Sequence, residues 1–253
     1  MLFRSEPRSV AEIADHLDDR YPQGFTGDHL PAGVRNVGFR MASAAGGVVH
    51  VPPSGLWKSH DKPRYLTADK WLGPQPEWKS DEALDIVIQR YLAAYGPVTR
   101  SDIVKWAGQR KITPVKQSLA RLDDALTVMD GPDDSEFIDL ADRTLPDEDL
   151  AVPVRFLSRW DSALIGYDIR DRILPEEFRS AVIKKNGDFL PTFLVDGFVA
   201  GLWSTDAGAG EAVLRLEPFG DLPAPVRAEL EEEGEALVRY VEPDSDEFDI
   251  EWA

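Results

Sequence analysis

The side chains in this chain whose types and spacing fit a binding chemistry are cationic and lie close together. Between Thr99 and Leu122 stand Arg100, Lys105, Arg110, Lys111, Lys116 and Arg121, opposed only by Asp102, with Gln117 in the same run. Guanidinium and ammonium groups neutralise phosphate oxygens, and a glutamine amide can bridge an adenine edge through its paired donor and acceptor. The run therefore reads as a face for duplex phosphate, with a solvated helical face as the plainer alternative. Other chemistries are closed off. The chain has no cysteine, which excludes thiol nucleophiles, disulfides, iron–sulfur clusters and Cys-ligated zinc. His16, His29, His50 and His60 show no HxxxH or HxH spacing, and Gly208-Ala-Gly210 is a loop signal rather than a phosphate cradle. Neither a metal nor a small-molecule cofactor is expected.

A formal net charge of −18 argues at first against a polyanionic partner. The distribution of that charge points the other way. Asp130 to Leu150 holds nine acids against Arg143, and Asp221 to Ala253 holds twelve against Arg227 and Arg239. Those two stretches carry the whole net charge, so the rest of the chain is neutral overall and the basic run stands out within it. Charges more than a Debye length of about 8–10 Å away are screened, so a local basic face can act inside an acidic protein.

The elements that must position this run repeat along the chain. In the first segment Ser9-Val-Ala-Glu12 is a capping-box pattern opening a helix with Ile13 and Leu17 on one face, ended by Pro22-Gln-Gly24. A second helix is expected from Leu30 to Ala45, stopping at Gly46-Gly47, followed by strands Val48–Val51 and Arg64–Thr67 around a loop from Pro52 to Pro63. The second segment has the same order: a helix capped by Ser80 with Leu84, Val87, Ile88, Tyr91 and Leu92 as its apolar stripe, then a short helix, Arg100 to Ala107, capped by Thr99 and closed by Gly108. A third helix, Pro114 to Asp124, is expected behind a Thr113 cap. Val115, Leu119 and Leu122 would face inward and Lys116, Gln117, Ala120 and Arg121 outward, and the hairpin strands Leu126–Met129 and Phe137–Leu140 would follow. This is the order of a winged helix-turn-helix, whose third helix is held proud of the surface at a width that fits a major groove.

The last segment changes character. Val154–Leu157, Thr192–Val195, Phe198–Leu202 and Val213–Leu216 read as strands, Asp196-Gly197 as a two-residue hairpin turn, and Pro175–Lys185 and Pro223–Tyr240 as helices. The tail from Glu242 is expected to be poorly ordered, although Phe248, Ile250 and Trp252 alternate as an edge strand would. The expected fold class is α+β, with winged-helix modules at 1–79 and 80–141, an acidic linker at 142–153 and a β-rich α+β domain at 154–253. No window holds the roughly 20 apolar residues of a membrane span, and the first residues are not a signal peptide, so a cytoplasmic monomer is expected.

Four stretches resemble one known family in the same order. They are Arg90 to Gly108 (Arg-Tyr-Leu-Ala-Ala-Tyr-Gly-Pro-Val-Thr-Arg-Ser-Asp-Ile-Val-Lys-Trp-Ala-Gly), Trp160-Asp-Ser-Ala-Leu-Ile-Gly-Tyr167, Lys185 to Trp203, and the pair Val51–Trp57 with Ala68–Gly73. Together they are similar to the tandem winged-helix DNA-binding family that includes the AlkZ-like and YcaQ-like DNA glycosylases. The resemblance runs from about Val10 to Val241 and implies tandem winged helices, a β-rich C-terminal domain and duplex DNA as partner. The family's catalytic signature is a QxQ or QxD triplet. None of Gln23, Gln75, Gln89, Gln109 and Gln117 begins one, so the expectation is a chain starting after the catalytic repeat.

Base removal needs a carboxylate or amide beside an extruded nucleotide. Of the carboxylates in the family-like stretch, Asp196 reads as hairpin chemistry, and Asp168, Arg170, Asp171 and Arg172 as a surface ion network. Asp161 stands between turn capping and catalysis and is the weak catalytic candidate. Phe198 and Trp203 could wedge into or stack on a disrupted base pair, or pack in the sheet, while Trp106 and Trp160 read as core. Three functions stay open: a non-catalytic DNA-binding protein, a glycosylase acting on alkylated or crosslinked bases, and a winged-helix protein-interaction module.

Overall fold

In the computed structural model of the protein, residues 6–21, 37–44, 46–54, 62–74, 76, 77, 79–147 and 149–253 are described. They belong to two units, Met1–Trp78 and Lys79–Ala253.

In the first unit β1 (Arg8–Ser9) leads into α1 (Val10–Arg20). The Ser9 hydroxyl accepts from the Glu12 N–H at 3.3 Å and the Glu12 carboxylate accepts from the Ser9 N–H at 2.8 Å, which is the reciprocal cap the sequence predicts. That bond to the Ser9 backbone is the main reason the Glu12 carboxyl is held down at about 2. Ile13 and Ala14 bury the inner face of the helix. α2 (Val37–Ala44) follows, then β2 (Val48–His50), β3 (Arg64–Thr67) and α3 (Ala68–Leu72), in an antiparallel sheet ordered β1-β3-β2. The expected strand pair is present. The helix end at Pro22–Gly24, most of the expected start of the second helix, and part of the loop from Pro52 to Pro63 lie outside the described residues.

The second unit opens with α4 (Ser80–Tyr95), α5 (Arg100–Trp106), α6 (Thr113–Arg121) and the hairpin β4 (Leu126–Asp130) and β5 (Glu136–Leu140). Ile88, Tyr91 and Leu92 of α4, Ile103 of α5, Val115 and Leu119 of α6, and Ile138 of β5 share one buried core with Val98. Val98 also exchanges backbone hydrogen bonds with Ile138, so the segment between α4 and α5 ties onto the hairpin. Val87, expected in the stripe, instead faces outward at 40% exposure. The cap of α4 is Lys79 and that of α6 is Ile112, neither with a side-chain bond, so Ser80 and Thr113 are first helical residues rather than caps. α6 stops at Arg121, and a short 3-10 turn over Asp123–Ala125 replaces its expected last turn. Thr99 caps α5 as expected, Asp102 returns a bond to the Thr99 N–H that completes a capping box, and Gly108 follows with the left-handed φ of 61° that favours glycine.

The remainder builds one sheet ordered β10-β9-β8-β7-β6, from β6 (Arg155–Leu157), β7 (Thr192–Val195), β8 (Phe198–Gly208), β9 (Glu211–Pro218) and β10 (Glu247–Trp252). Short helices α7 (Ser162–Ile165) and α8 (Arg179–Val182) lie between β6 and β7, and α9 (Ala224–Val241) lies between β9 and β10. Asp196 and Gly197 take φ of 50° and 80°, the paired positive values of a tight hairpin turn. The helix expected over Pro175–Lys185 shrinks to a 3-10 turn at Glu176–Phe178 followed by α8. The tail is not disordered. It pairs parallel to β9, and its period-two alternation puts Phe248, Ile250 and Trp252 against the core that α9 covers, with Arg239 and Arg227 stacked over Phe248 and Trp252 at 4.4 and 4.3 Å. Among the described residues no helix is long and apolar enough to cross a membrane.

Candidate nucleic-acid interface

α6 presents the side the sequence predicts. Val115, Ser118 and Leu119 turn into the core, which leaves Lys116, Gln117, Ala120 and Arg121 exposed. The cations around it divide into two sets. Arg121 donates to Asp85 of α4 through Nε at 2.9 Å and a terminal nitrogen at 2.6 Å, and the buried Ser118 hydroxyl donates to the same carboxylate. That fork holds Asp85 below the usual carboxylate range, the Arg121 bonds being the largest cause. Arg100 pairs with Glu136 of the hairpin, and Lys105 with Asp168 at 3.1 Å.

Arg110, Lys111 and Lys116 are exposed and make no ion pair among the described residues. They cluster at the turn between α5 and α6 and on the first turns of α6, where the helix dipole adds positive potential. Gln117 sits beside them, exposed. A groove of about 570 Å³ runs between α6 and the hairpin, lined by Arg100, Ile112, Lys116, Ala120, Asp123 and Val128 among others. This gives an exposed helical face with Lys116 and an amide, two further cations on the turn before it that make no ion pair among the described residues, and an adjoining cleft.

The other candidates are placed differently. Asp161 accepts from the N–H of Ala163 at 2.9 Å and of Ser158 at 3.3 Å, so its carboxylate caps α7 and the turn before it. The run from Asp168 to Arg172 is not a mutual ion network. Asp168 reaches Lys105, Arg170 donates to the Leu164 carbonyl at 2.7 Å, and Arg172 donates to the Pro97 carbonyl at 2.8 Å while lying 4.7 Å over the Tyr167 ring. Asp168, Arg170 and Arg172 thus each engage a different part of the unit. Phe198 is 47% exposed directly after the hairpin turn, whereas Trp203 donates its indole N–H to the Leu157 carbonyl and packs edge-on against Phe156. Trp106 stacks on Tyr91 and Tyr95 with its outer edge exposed. Trp160 is not in the core: it is 50% exposed, because a left-handed backbone turns its ring outward.

One polar cluster has no sequence signal beyond its cap. Asp102, 2% exposed, accepts from the Thr99 N–H and hydroxyl with one oxygen and from the Asp168 N–H at 2.6 Å with the other. The Tyr91 hydroxyl donates to the Gly166 carbonyl at 2.6 Å and the Tyr167 hydroxyl to the Tyr95 carbonyl at 3.0 Å. Burial, then the nearby Asp102 charge, push Tyr91 ionisation upward, so it stays a neutral donor. These bonds clamp α4 and α5 to the segment after β6. The spacing Thr99-x-x-Asp102 signals the cap, but nothing local signals the bond to residue 168. Among the described residues no cluster of His, Asp or Glu could hold a metal ion.

The chain belongs to the family described as DNA glycosylase AlkZ-like, which matches it over residues 1–240. Within that family it is similar to the interstrand DNA cross-link repair glycosylase of Streptomyces sahachiroi, with 30% identity over 192 residues, covering 72% of this chain and 49% of that protein. The solved structure of Streptomyces sahachiroi DNA glycosylase AlkZ shares its fold, with a TM-score of 0.70 at 21% identity over 98% of this chain and 65% of that one. The chain thus spans about half to two thirds of the length of these relatives.

Proposed function

We propose that this chain is a DNA-binding member of the AlkZ-like family that docks on duplex DNA as a monomer. Arg110, Lys111 and Lys116 meet phosphates, and Gln117 is turned to a base edge. In this reading residues 1–79 and 80–141 are winged-helix modules, 142–153 an acidic linker and 154–253 an α+β domain. The observation that carries it is the set of three exposed cations on and beside α6 that make no ion pair among the described residues, in a chain whose formal net charge is −18. A surface with no anionic partner would not gain from concentrating unpaired charge of the minority sign. The hairpin beside α6 supplies the wing, and the groove between them accepts a strand of backbone.

The experiment is duplex affinity as a function of salt. Three phosphate contacts predict that log K falls with log salt at a slope of about −3. Absence of duplex affinity at low salt would reject the reading in favour of a protein-interaction module. Family membership supports a second reading, base release from alkylated or crosslinked duplex. The family's triplet does not occur in these residues and Asp161 is engaged as a cap, so the expected outcome is binding without new abasic sites. Abasic sites that disappear in Asp161→Asn would instead place the chemistry at Asp161.

A further inference from the structure

Trp160 is the only aromatic residue among those described with a left-handed backbone, at φ 60°. Glycine or asparagine occupies that region at little cost, and a bulky side chain there is an outlier that the surrounding structure has to hold in place. Burial of the ring does not offset the strain, since half of it faces solvent. The turn is nonetheless locked on every side. The Trp160 N–H donates to the Phe189 carbonyl at 3.3 Å, Asp161 caps the residues on both flanks, and Arg159 pairs with Asp188 at 3.2 Å. Behind the indole stands the Phe189 ring, 5.5 Å between centroids, itself covered by the half-buried Arg170 guanidinium at 5.4 Å. An exposed ring on a rigid mount is the result.

The turn that holds that ring also carries cations, beside the carboxylates of Asp161 and Asp188 that cap it and pair with Arg159. Lys184 and Lys185 lead into the tight turn closed by the Lys184 N–H to the Asp188 carbonyl at 2.9 Å, one residue from the carbonyl that holds Trp160. Both lysines are exposed and neither makes an ion pair among the described residues, while Arg159 stays more than half exposed beside Asp188. A supported indole face, with two exposed lysines on the turn next to its backbone partner, has the chemistry that stacks a nucleobase and meets backbone phosphates. An acidic protein segment would complement the lysines but would leave the indole unused. We propose that Trp160, with Lys184 and Lys185, is a second DNA contact that takes an unstacked nucleotide, either an extrahelical base or a single strand. It rests on the reading that this chain binds DNA but uses residues apart from the α6 face.

The test uses the full chain and three labelled probes: an intact duplex, the same duplex carrying one bulged adenine, and an oligothymidylate. Trp160→Asn removes the ring while suiting the left-handed turn, Trp160→Phe keeps an aromatic face, and a Lys184→Ala, Lys185→Ala variant removes the lysine charge; circular dichroism confirms each fold. Trp160→Asn should bind the bulged duplex and the oligothymidylate about 5- to 100-fold more weakly, with intact-duplex affinity unchanged and with Phe recovering most of the loss. The double lysine variant should lower the salt slope on the oligothymidylate. Parent-like binding of all three probes by Trp160→Asn would overturn the proposal and leave the α6 reading standing. Oligothymidylate binding that needs Trp160, without intact-duplex binding by the parent, would sustain this proposal and reject the α6 reading. A parent that binds no probe would reject both.

Discussion

At the two ends of α6 a cation of the same sign meets opposite surroundings. Arg121, at the C-terminal end, is gripped by the Asp85 carboxylate in a two-pronged hydrogen bond. At the N-terminal end Lys116, together with Arg110 and Lys111 on the preceding turn, reaches solvent with no carboxylate in contact among the described residues. The same division runs through the whole basic run, where Arg100 and Lys105 are also paired. A charge count therefore overstates the surface available to phosphate by a factor of two. Half of the run orients the helix, and the other half is what the oriented helix shows.

If the inward set is architectural, its removal should cost stability without weakening the salt dependence of binding. The largest effect belongs to Asp102, the one acid inside the run. Asp102→Ala removes a 2%-exposed carboxylate that accepts from the part-buried N–H groups of Thr99 and Asp168, and urea unfolding should show a loss of about 2–3 kcal/mol. An unchanged midpoint would mean the clamp is dispensable. Asp85→Ala leaves the fully buried Ser118 hydroxyl without its acceptor and should lose about 1–2 kcal/mol, while Arg121, released, leaves the salt slope the same or steeper. A shallower slope in that variant would break the division drawn here.

Acid should act through the same fork. Because Asp85 has a lowered pKa in the folded state, the stability it contributes is fully present above the usual carboxylate range and is lost as pH falls through its lowered value. Asp85→Asn should accordingly show a flatter fall in urea midpoint between neutral and acidic pH than the parent; identical curves would show that the fork does not titrate with folding. The smallest effect is expected at Lys105, whose partner is half exposed. Lys105→Ala should change stability by under about 1 kcal/mol and leave duplex affinity unchanged.

Much of the scaffold is legible locally, because caps and periodicity are local. Ser9-x-x-Glu12, the Thr99 cap, Asp196-Gly197 and the Val115/Leu119 spacing each fix their own few residues, and each is found as expected. What escapes is decided by distant partners. Arg121 lies 36 positions from Asp85 and Lys105 lies 63 from Asp168, so no window shows which cations are neutralised. Trp160 reads as core from its type alone, and only the left-handed turn against Phe189 brings it outward. The tail is misjudged for a related reason: its acids suggest disorder, while Phe248, Ile250 and Trp252 gain a β9 partner that the local sequence does not reveal.

Two variants that remove equal charge test the central claim most directly. One replaces Arg110, Lys111 and Lys116 with alanine, the other Arg100, Lys105 and Arg121, and duplex affinity is measured from low to physiological salt for both and for the parent. The outward variant should lose duplex affinity and flatten the log–log slope by about three units, while the inward variant, once shown to be folded, keeps the parental slope. Equal slopes for the two variants, whether both flattened or both parental, would contradict the account.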